Sequence, residues 1–142
     1  MTTPGQADAA SPAQRRIPAR VPGRVGGLTI LRDVARCIAR SGVGAVIVES
    51  PVGKLGLVTA KDLIDAIANG ADPDVVWAGD IMRPLPRTVS SSRHPVEVGE
   101  EMTAYELEIV TVTGDDAGLG VASALDVLRA VVQHARDVEN RS

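Results

Sequence analysis

Two short stretches carry the residues best suited to chemistry. Gly56-Leu57-Val58-Thr59-Ala60-Lys61-Asp62 and Gly120-Val121-Ala122-Ser123-Ala124-Leu125-Asp126 share a glycine, a hydroxyl residue three positions on, and an aspartate three further. Each reads as a strand running into the start of a helix. A helix start presents unpaired N–H groups and partial positive charge, which suit a phosphate. The hydroxyl of Thr59 or Ser123 can donate to a phosphate oxygen there, and the carboxylate of Asp62 or Asp126 can accept from both vicinal hydroxyls of a ribose. Gly56 and Gly120 let another backbone or a flat ring come close. A plainer reading uses the same residues as helix caps, the hydroxyl bonding the first turn and the aspartate favouring the dipole. Both can hold, because a cap hydroxyl can exchange its backbone partner for a ligand. Duplication of the whole set weighs towards ligand binding.

The other reactive side chains read as structural. His94 and His134 lack the companion ligands of a metal site and are expected in ordinary surface roles, so no metal is expected. Cys37 is the only cysteine, which excludes an internal disulfide and a Cys-rich zinc site; it flanks an apolar helix face as a core thiol. Arg15, Arg16, Arg20 and Arg24 form a basic cluster, read as a solvated tail that can also meet a phosphate or an acidic partner. Lys61 is exposed or reaches an anion, and Trp77 packs. Gly118-x-Gly120-x-x-Ser123 echoes a dinucleotide fingerprint without its βαβ context, and no Walker loop, nucleophile elbow or Cys–His pairing occurs. Only Asp62 and Asp126 qualify as acid or base, so no enzymatic activity is expected.

The elements that position these residues come from an internal repeat at an offset of about 64 residues. Ile17 falls on Ile81, Pro22 on Pro86, Val34 on Val98, Val46 on Val110, Leu55-Gly56-Leu57 on Leu119-Gly120-Val121, Thr59 on Ser123 and Asp62 on Asp126. One register fits without a gap. Residues 1–16 are expected as a disordered tail, 17–80 as copy one and 81–142 as copy two. Each copy opens with a short extended piece, Arg24-Val25 or Thr88-Val89. In copy one a helix follows with Leu31, Val34, Ala35 and Ile38 on one apolar face, ended by Gly42. Strands Val46–Val48 and Leu55–Val58 and a helix over Ala60–Ala68 complete it. Copy two has a helix over Pro95–Tyr105, strands Ile109–Thr113 and Leu119–Ala122 around the turn Gly114-Asp115-Asp116, and a helix from Ala124 to about Val138. The order is β-α-β-β-α, twice, an α/β (α+β) fold, and a shared core with pseudo-twofold packing is its simplest arrangement. Each copy alone is of marginal size.

Composition narrows the partners. Of 142 residues, 44% are hydrophobic and 23% charged, with Trp77 and Tyr105 the only aromatics and a net charge of −3. Few aromatics and no positive excess argue against nucleic acid. No apolar run has the length of a membrane helix, and no signal peptide is read, so the cytoplasm is the expected location.

With the motifs laid out, the sequence resembles a pair of CBS domains, also called a Bateman module. The family motif is glycine, an apolar residue, any residue, Ser or Thr, two residues, then Asp, closing a β-α-β-β-α unit. Ala68–Pro73 followed by Asp80-Ile81-Met82 resembles the junction between the two motifs, and Ser41–Val46 the helix-to-strand passage. The resemblance covers about Ile17 to Val132. It implies two tandem CBS motifs and regulatory binding of an adenosine-containing ligand: AMP, ADP, ATP, S-adenosylmethionine or an NAD-type molecule. It implies no obligatory cofactor, a homodimer, and signalling by conformational change to a regulated protein. Carried over by residue, Asp62 and Asp126 hold ribose hydroxyls, and Thr59 and Ser123 face the phosphate end. Gly56 and Gly120 open the motifs, Ala45-Val46 and Ile109-Val110 line the adenine slots, and Thr88 and Arg24 lie beside them.

Departures from the pattern rank the sites. Copy one has Arg16-Ile17-Pro18 in place of the opening seen at Asp80-Ile81-Met82. Copy two has Glu106 where a helix-ending glycine is usual and Thr111 where proline is frequent, and Gly99 weakens its first helix. Glu106 and Glu108 add negative charge near the second slot. The site of Thr59 and Asp62 is therefore expected to be the better one. The alternative function is a protein–protein interaction module whose ligand sites are degenerate or lost.

Overall fold

The structure, a computed structural model, describes residues 16–114 and 118–141. The rest of the expected tail, and Asp115 and Asp116 of the expected turn, lie outside the described residues. The chain divides into two compact units. One is Pro22–Leu85; the other joins the segment up to Val21 to the chain from Pro86 onward.

In the first unit, β1 (Gly23–Gly26) leads to α1 (Leu31–Ser41), β2 (Ala45–Glu49), β3 (Leu55–Thr59), α2 (Ala60–Ala68), the short α3 (Ala78–Ile81) and β4 (Arg83–Pro84). The sheet order is β1-β2-β3-β4, with β1 parallel to β2 and the other pairs antiparallel. The apolar spacing of α1 does what its period predicts: Leu31, Val34 and Ile38 are buried, while Ala35 at the margin of that face is exposed. Gly42 ends the helix in the left-handed conformation, φ 68°, its N–H bonded to the Ile38 carbonyl. Val46, Val48 and Val58 point from the sheet into a core with Leu31, Val34, Ile38 and Leu63, and Cys37 packs at its margin.

The second unit repeats this with β5 (Thr88–Ser90), α4 (Pro95–Ala104), β6 (Ile109–Thr113), β7 (Gly120–Ser123) and α5 (Ala124–Asn140). β5 runs parallel to β6, and β6 antiparallel to β7. Pro95 occupies the first turn of α4, where its missing N–H costs nothing. Val89, Val98, Met102, Val110, Val112, Ala122 and Val127 form the core, closed by Ile17.

The packed units cut across the sequence copies. Ile17, which opens copy one, is fully buried in the core of the second unit. Ile81 and Met82, which open copy two, pack against the core of the first. Arg20 bridges antiparallel to Val121 on β7, as Arg83 on β4 pairs with Leu57 on β3. The gapless register aligned Ala19, not Arg20, with Arg83, so the opening segments slip by one residue. Arg16, placed in the tail by the sequence reading, is tied to the second unit: its backbone N–H donates to the Ser91 carbonyl at 2.7 Å.

Candidate functional site

Both motifs are strand-to-helix corners with the same bonding. Thr59 caps α2: the Asp62 N–H donates to Thr59 Oγ1 at 3.1 Å, and the Thr59 N–H donates to Asp62 Oδ2 at 2.9 Å. Ser123 caps α5 likewise, at 3.2 Å from the Asp126 N–H and 3.0 Å from the Ser123 N–H to Asp126 Oδ2. Reciprocal boxes of this kind satisfy two otherwise unpaired donors of the first turn. The next donor is also used. Ala60 N–H donates to the Gly44 carbonyl at 2.9 Å, and Ala124 N–H to the Glu108 carbonyl at 3.0 Å. The capping reading therefore holds at both motifs.

Each aspartate also meets an arginine that the sequence reading did not pair with it. Arg83 Nε sits 3.1 Å from Asp62 Oδ1 and 3.2 Å from Oδ2, straddling the carboxylate. Arg20 Nη2 donates to Asp126 Oδ1 at 3.2 Å. The carboxylates are recessed, with 16% of the Asp62 side chain and 8% of the Asp126 side chain exposed, while both guanidinium groups face solvent. Burial pushes the Asp126 carboxyl up, but hydrogen bonds from Ser123 and the Arg20 guanidinium outweigh it and hold it below the ordinary carboxylate range.

The glycines serve the same opening segments. A Cβ on Gly56 would lie 2.8 Å from the Arg83 carbonyl oxygen and 2.8 Å from Met82 Sδ. One on Gly120 would lie 2.9 Å from Ala19 Cβ and 3.3 Å from the Arg20 carbonyl oxygen. Of the two partners the sequence allowed, a backbone or a flat ring, the backbone is present.

Strand pairing sorts the remaining site residues by face. In the first unit Arg24, Ile47, Leu57 and Arg83 form one cross-strand row, flanked by the pair Ala45 and Thr59. In the second, Thr88, Thr111, Val121 and Arg20 form the equivalent row, flanked by Ile109 and Ser123. Ala45, Ile109, Arg24 and Thr88 thus share the face of the cap hydroxyls. Val46 and Val110 point the other way, into the helix-covered cores, which leaves only their backbone for a ligand. Thr111 is fully buried and takes a hydrogen bond from Thr88 at 2.5 Å while donating to the Pro86 carbonyl at 3.2 Å. Its N–H donates to the Arg87 carbonyl at 3.1 Å, a bond that proline at this position would forfeit.

No family profile and no curated protein matches the sequence. Solved structures do. An AMP complex of a CBS domain protein from Pyrobaculum aerophilum matches at 24% identity and TM-score 0.63, over 79% of this chain and 88% of that one. A CBS-domain protein from Agrobacterium tumefaciens matches at 25% and 0.65, over 78% and 84%. One from Burkholderia ambifaria matches at 24% and 0.67, over 93% and 95%. The chain folds as a pair of CBS domains. A further CBS pair of this fold, solved with 5′-methylthioadenosine and S-adenosyl-L-methionine, is 20% identical at TM-score 0.62, over 78% of this chain and 92% of that one.

Outside the two motifs, the CBS pair brings His94 and His134 together, their Nε2 atoms 3.2 Å apart, so these are not separate surface residues. His94 Nδ1 accepts from the Val96 N–H and caps α4. Lys61 pairs with Asp65 at 2.8 Å along α2. Among the described residues no group of three or more His, Cys, Asp and Glu side chains is placed to hold a metal ion, and no helix is long and apolar enough to cross a membrane.

Proposed function

We propose that the protein is a regulatory module that binds an adenosine-containing ligand at the Thr59–Asp62 motif, and less tightly at Ser123–Asp126, and signals by conformational change to another protein. The observation that carries this reading is the duplicated corner: a recessed carboxylate beside a cap hydroxyl, on a sheet face with an arginine. The carboxylate suits ribose hydroxyls, and the hydroxyl and arginine suit a phosphate. The AMP and S-adenosylmethionine complexes of other proteins with this fold support adenosine as the ligand class. Arg24 and Arg83 share the sheet face of the first motif; at the second, Arg20 is the arginine in the equivalent row, and Thr88 stands where Arg24 does. That difference supports the first as the stronger site for a phosphorylated ligand. No catalytic role and no obligatory cofactor are proposed, and the cytoplasm is the proposed location. A homodimer belongs to the same reading. An open apolar groove of about 650 Å³ between α4 and α5, lined by Val96, Met102, Leu107, Leu128 and Val131, supports a second copy as its partner.

Thermal unfolding against AMP, ADP, ATP, S-adenosylmethionine, NADH and GTP tests the proposal. A ligand at about a hundred times its Kd adds about 2.7 kcal/mol. A rise confined to adenosine ligands and lost in Asp62→Ala is expected. One observation favours the alternative of an interaction module: both carboxylates are already satisfied by a backbone N–H and an arginine. Absence of binding below millimolar for every adenosine ligand would decide for that alternative.

A further inference from the structure

We infer that Arg83 and Arg20 are latches on the two carboxylates, released by the ribose and re-engaged by the phosphate of a bound nucleotide. The inference rests on the ligand site proposed above and adds the step that makes occupancy of that site mechanical. A carboxylate offers about four acceptor positions. At Asp62, Oδ2 already accepts the Thr59 N–H, and Arg83 Nε lies across both oxygens. A vicinal diol needs one position on each oxygen, and on Oδ2 the Thr59 N–H and Arg83 Nε already take both. Diol and guanidinium therefore compete for the carboxylate.

The displaced arginine has a second place to go. Arg83 binds Asp62 through Nε, its side chain is 60% exposed, and its residue shares a sheet face with Arg24 and Thr59. A phosphate near the Thr59 hydroxyl is a geometrically suited partner for a guanidinium fork. Arg83 belongs to β4, a two-residue strand that ends next to Leu85, the last residue of the first unit. Arg20 stands beside Val21, the last residue of the second unit's first segment. Each latch thus sits within two residues of a point where the chain leaves one unit for the other. At Asp126 the latch is looser: Arg20, in an isolated bridge to β7, reaches Oδ1 alone through Nη2.

The inference separates two probes that differ only in a phosphate. Adenosine meets the latch as a competitor, whereas AMP meets it as a competitor and then a partner. Calorimetric titration of the full chain with adenosine and with AMP, for wild type, Arg83→Ala, Arg20→Ala and the double variant, reads this directly. Loss of the latch is expected to tighten adenosine binding and weaken AMP binding. The preference for AMP over adenosine should fall on the order of tenfold, the scale of one charge-assisted hydrogen bond. Both probes meet the same variant, so a reduced folded fraction cancels from the ratio. Arg83→Lys keeps the cation, and its preference for AMP should exceed that of Arg83→Ala. An unchanged ratio in the double variant, with wild-type binding present, overturns the latch and leaves the ligand site standing. No binding of either probe to wild type overturns the ligand site and the latch together.

Discussion

Replacing Glu106 with glycine is expected to stabilise the protein. Glu106 follows α4 at φ 53°, the only described non-glycine residue in the left-handed region. A side chain there costs about 1–2 kcal/mol. Glycine removes that cost but leaves the unfolded chain freer, which takes back about 0.4–1 kcal/mol. The expected net gain is about 0.5–1 kcal/mol. The repeat supplies the control. Gly42 ends α1 at φ 68°, and a Cβ built on it meets nothing within 4 Å. Gly42→Ala therefore carries the same backbone cost with opposite sign and no steric term. Thermal unfolding followed by circular dichroism should give a midpoint raised by about 1–6 °C for Glu106→Gly and lowered by a similar amount for Gly42→Ala. A fall in Gly42→Ala with no rise in Glu106→Gly would refute the reasoning, because the Glu106 side chain would then be returning the strain through interactions of its own.

The Asp126 carboxyl is held below its unfolded value of about 3.9, so its contribution is fully present above about pH 4 and lost as pH falls through the folded value. Asp126→Asn should flatten the fall of the unfolding midpoint as pH drops below the ordinary carboxylate range, and parallel curves for the two proteins would count against the assignment. Gly56→Ala should destabilise by about 1–3 kcal/mol in a denaturant titration, because the new methyl meets the Arg83 carbonyl at 2.8 Å. Leu128 lines the α4–α5 groove and is 55% exposed. If the proposed homodimer forms through this groove, Leu128→Asp should turn a sedimenting dimer into a monomer and lower the unfolding midpoint in a concentration-dependent way, and a variant that remains dimeric would remove that groove as the interface.

The parts of this fold legible in the sequence are those with strong periodicity or a fixed punctuation residue. The apolar face of α1, the break at Gly42 and the strand Ile109–Thr113 are recoverable from spacing alone. The corner motifs are legible because glycine, hydroxyl and aspartate recur together at both helix starts. The opening segments are not. Arg16–Val21 and Arg83–Leu85 are too short to show a period, and each packs on the unit that the other copy contributes. A gapless alignment therefore slipped by one residue and hid the equivalence of Arg20 and Arg83. Arg20 groups with a basic tail in the sequence for the same reason: local composition cannot report a bond to a carboxylate more than a hundred residues away. Nor could the motif say what Gly56 and Gly120 admit, since a backbone and a ligand make the same demand for a missing Cβ.

Capping and the proposed ligand binding draw on the same groups. The Asp62 carboxylate holds the first residue of the α2 corner through the Thr59 N–H and the β4 segment through Arg83, with Gly56 allowing that segment to lie close. A ligand that draws on this carboxylate acts at once on a helix start, on an edge strand and on the chain leaving the unit. A ligand shifts a conformational equilibrium only by its differential affinity for the two states. A carboxylate shared between the fold and the ligand creates such a difference, because the latched state offers fewer acceptor positions than the released one. A carboxylate held only by solvent would bind the same ribose and shift nothing.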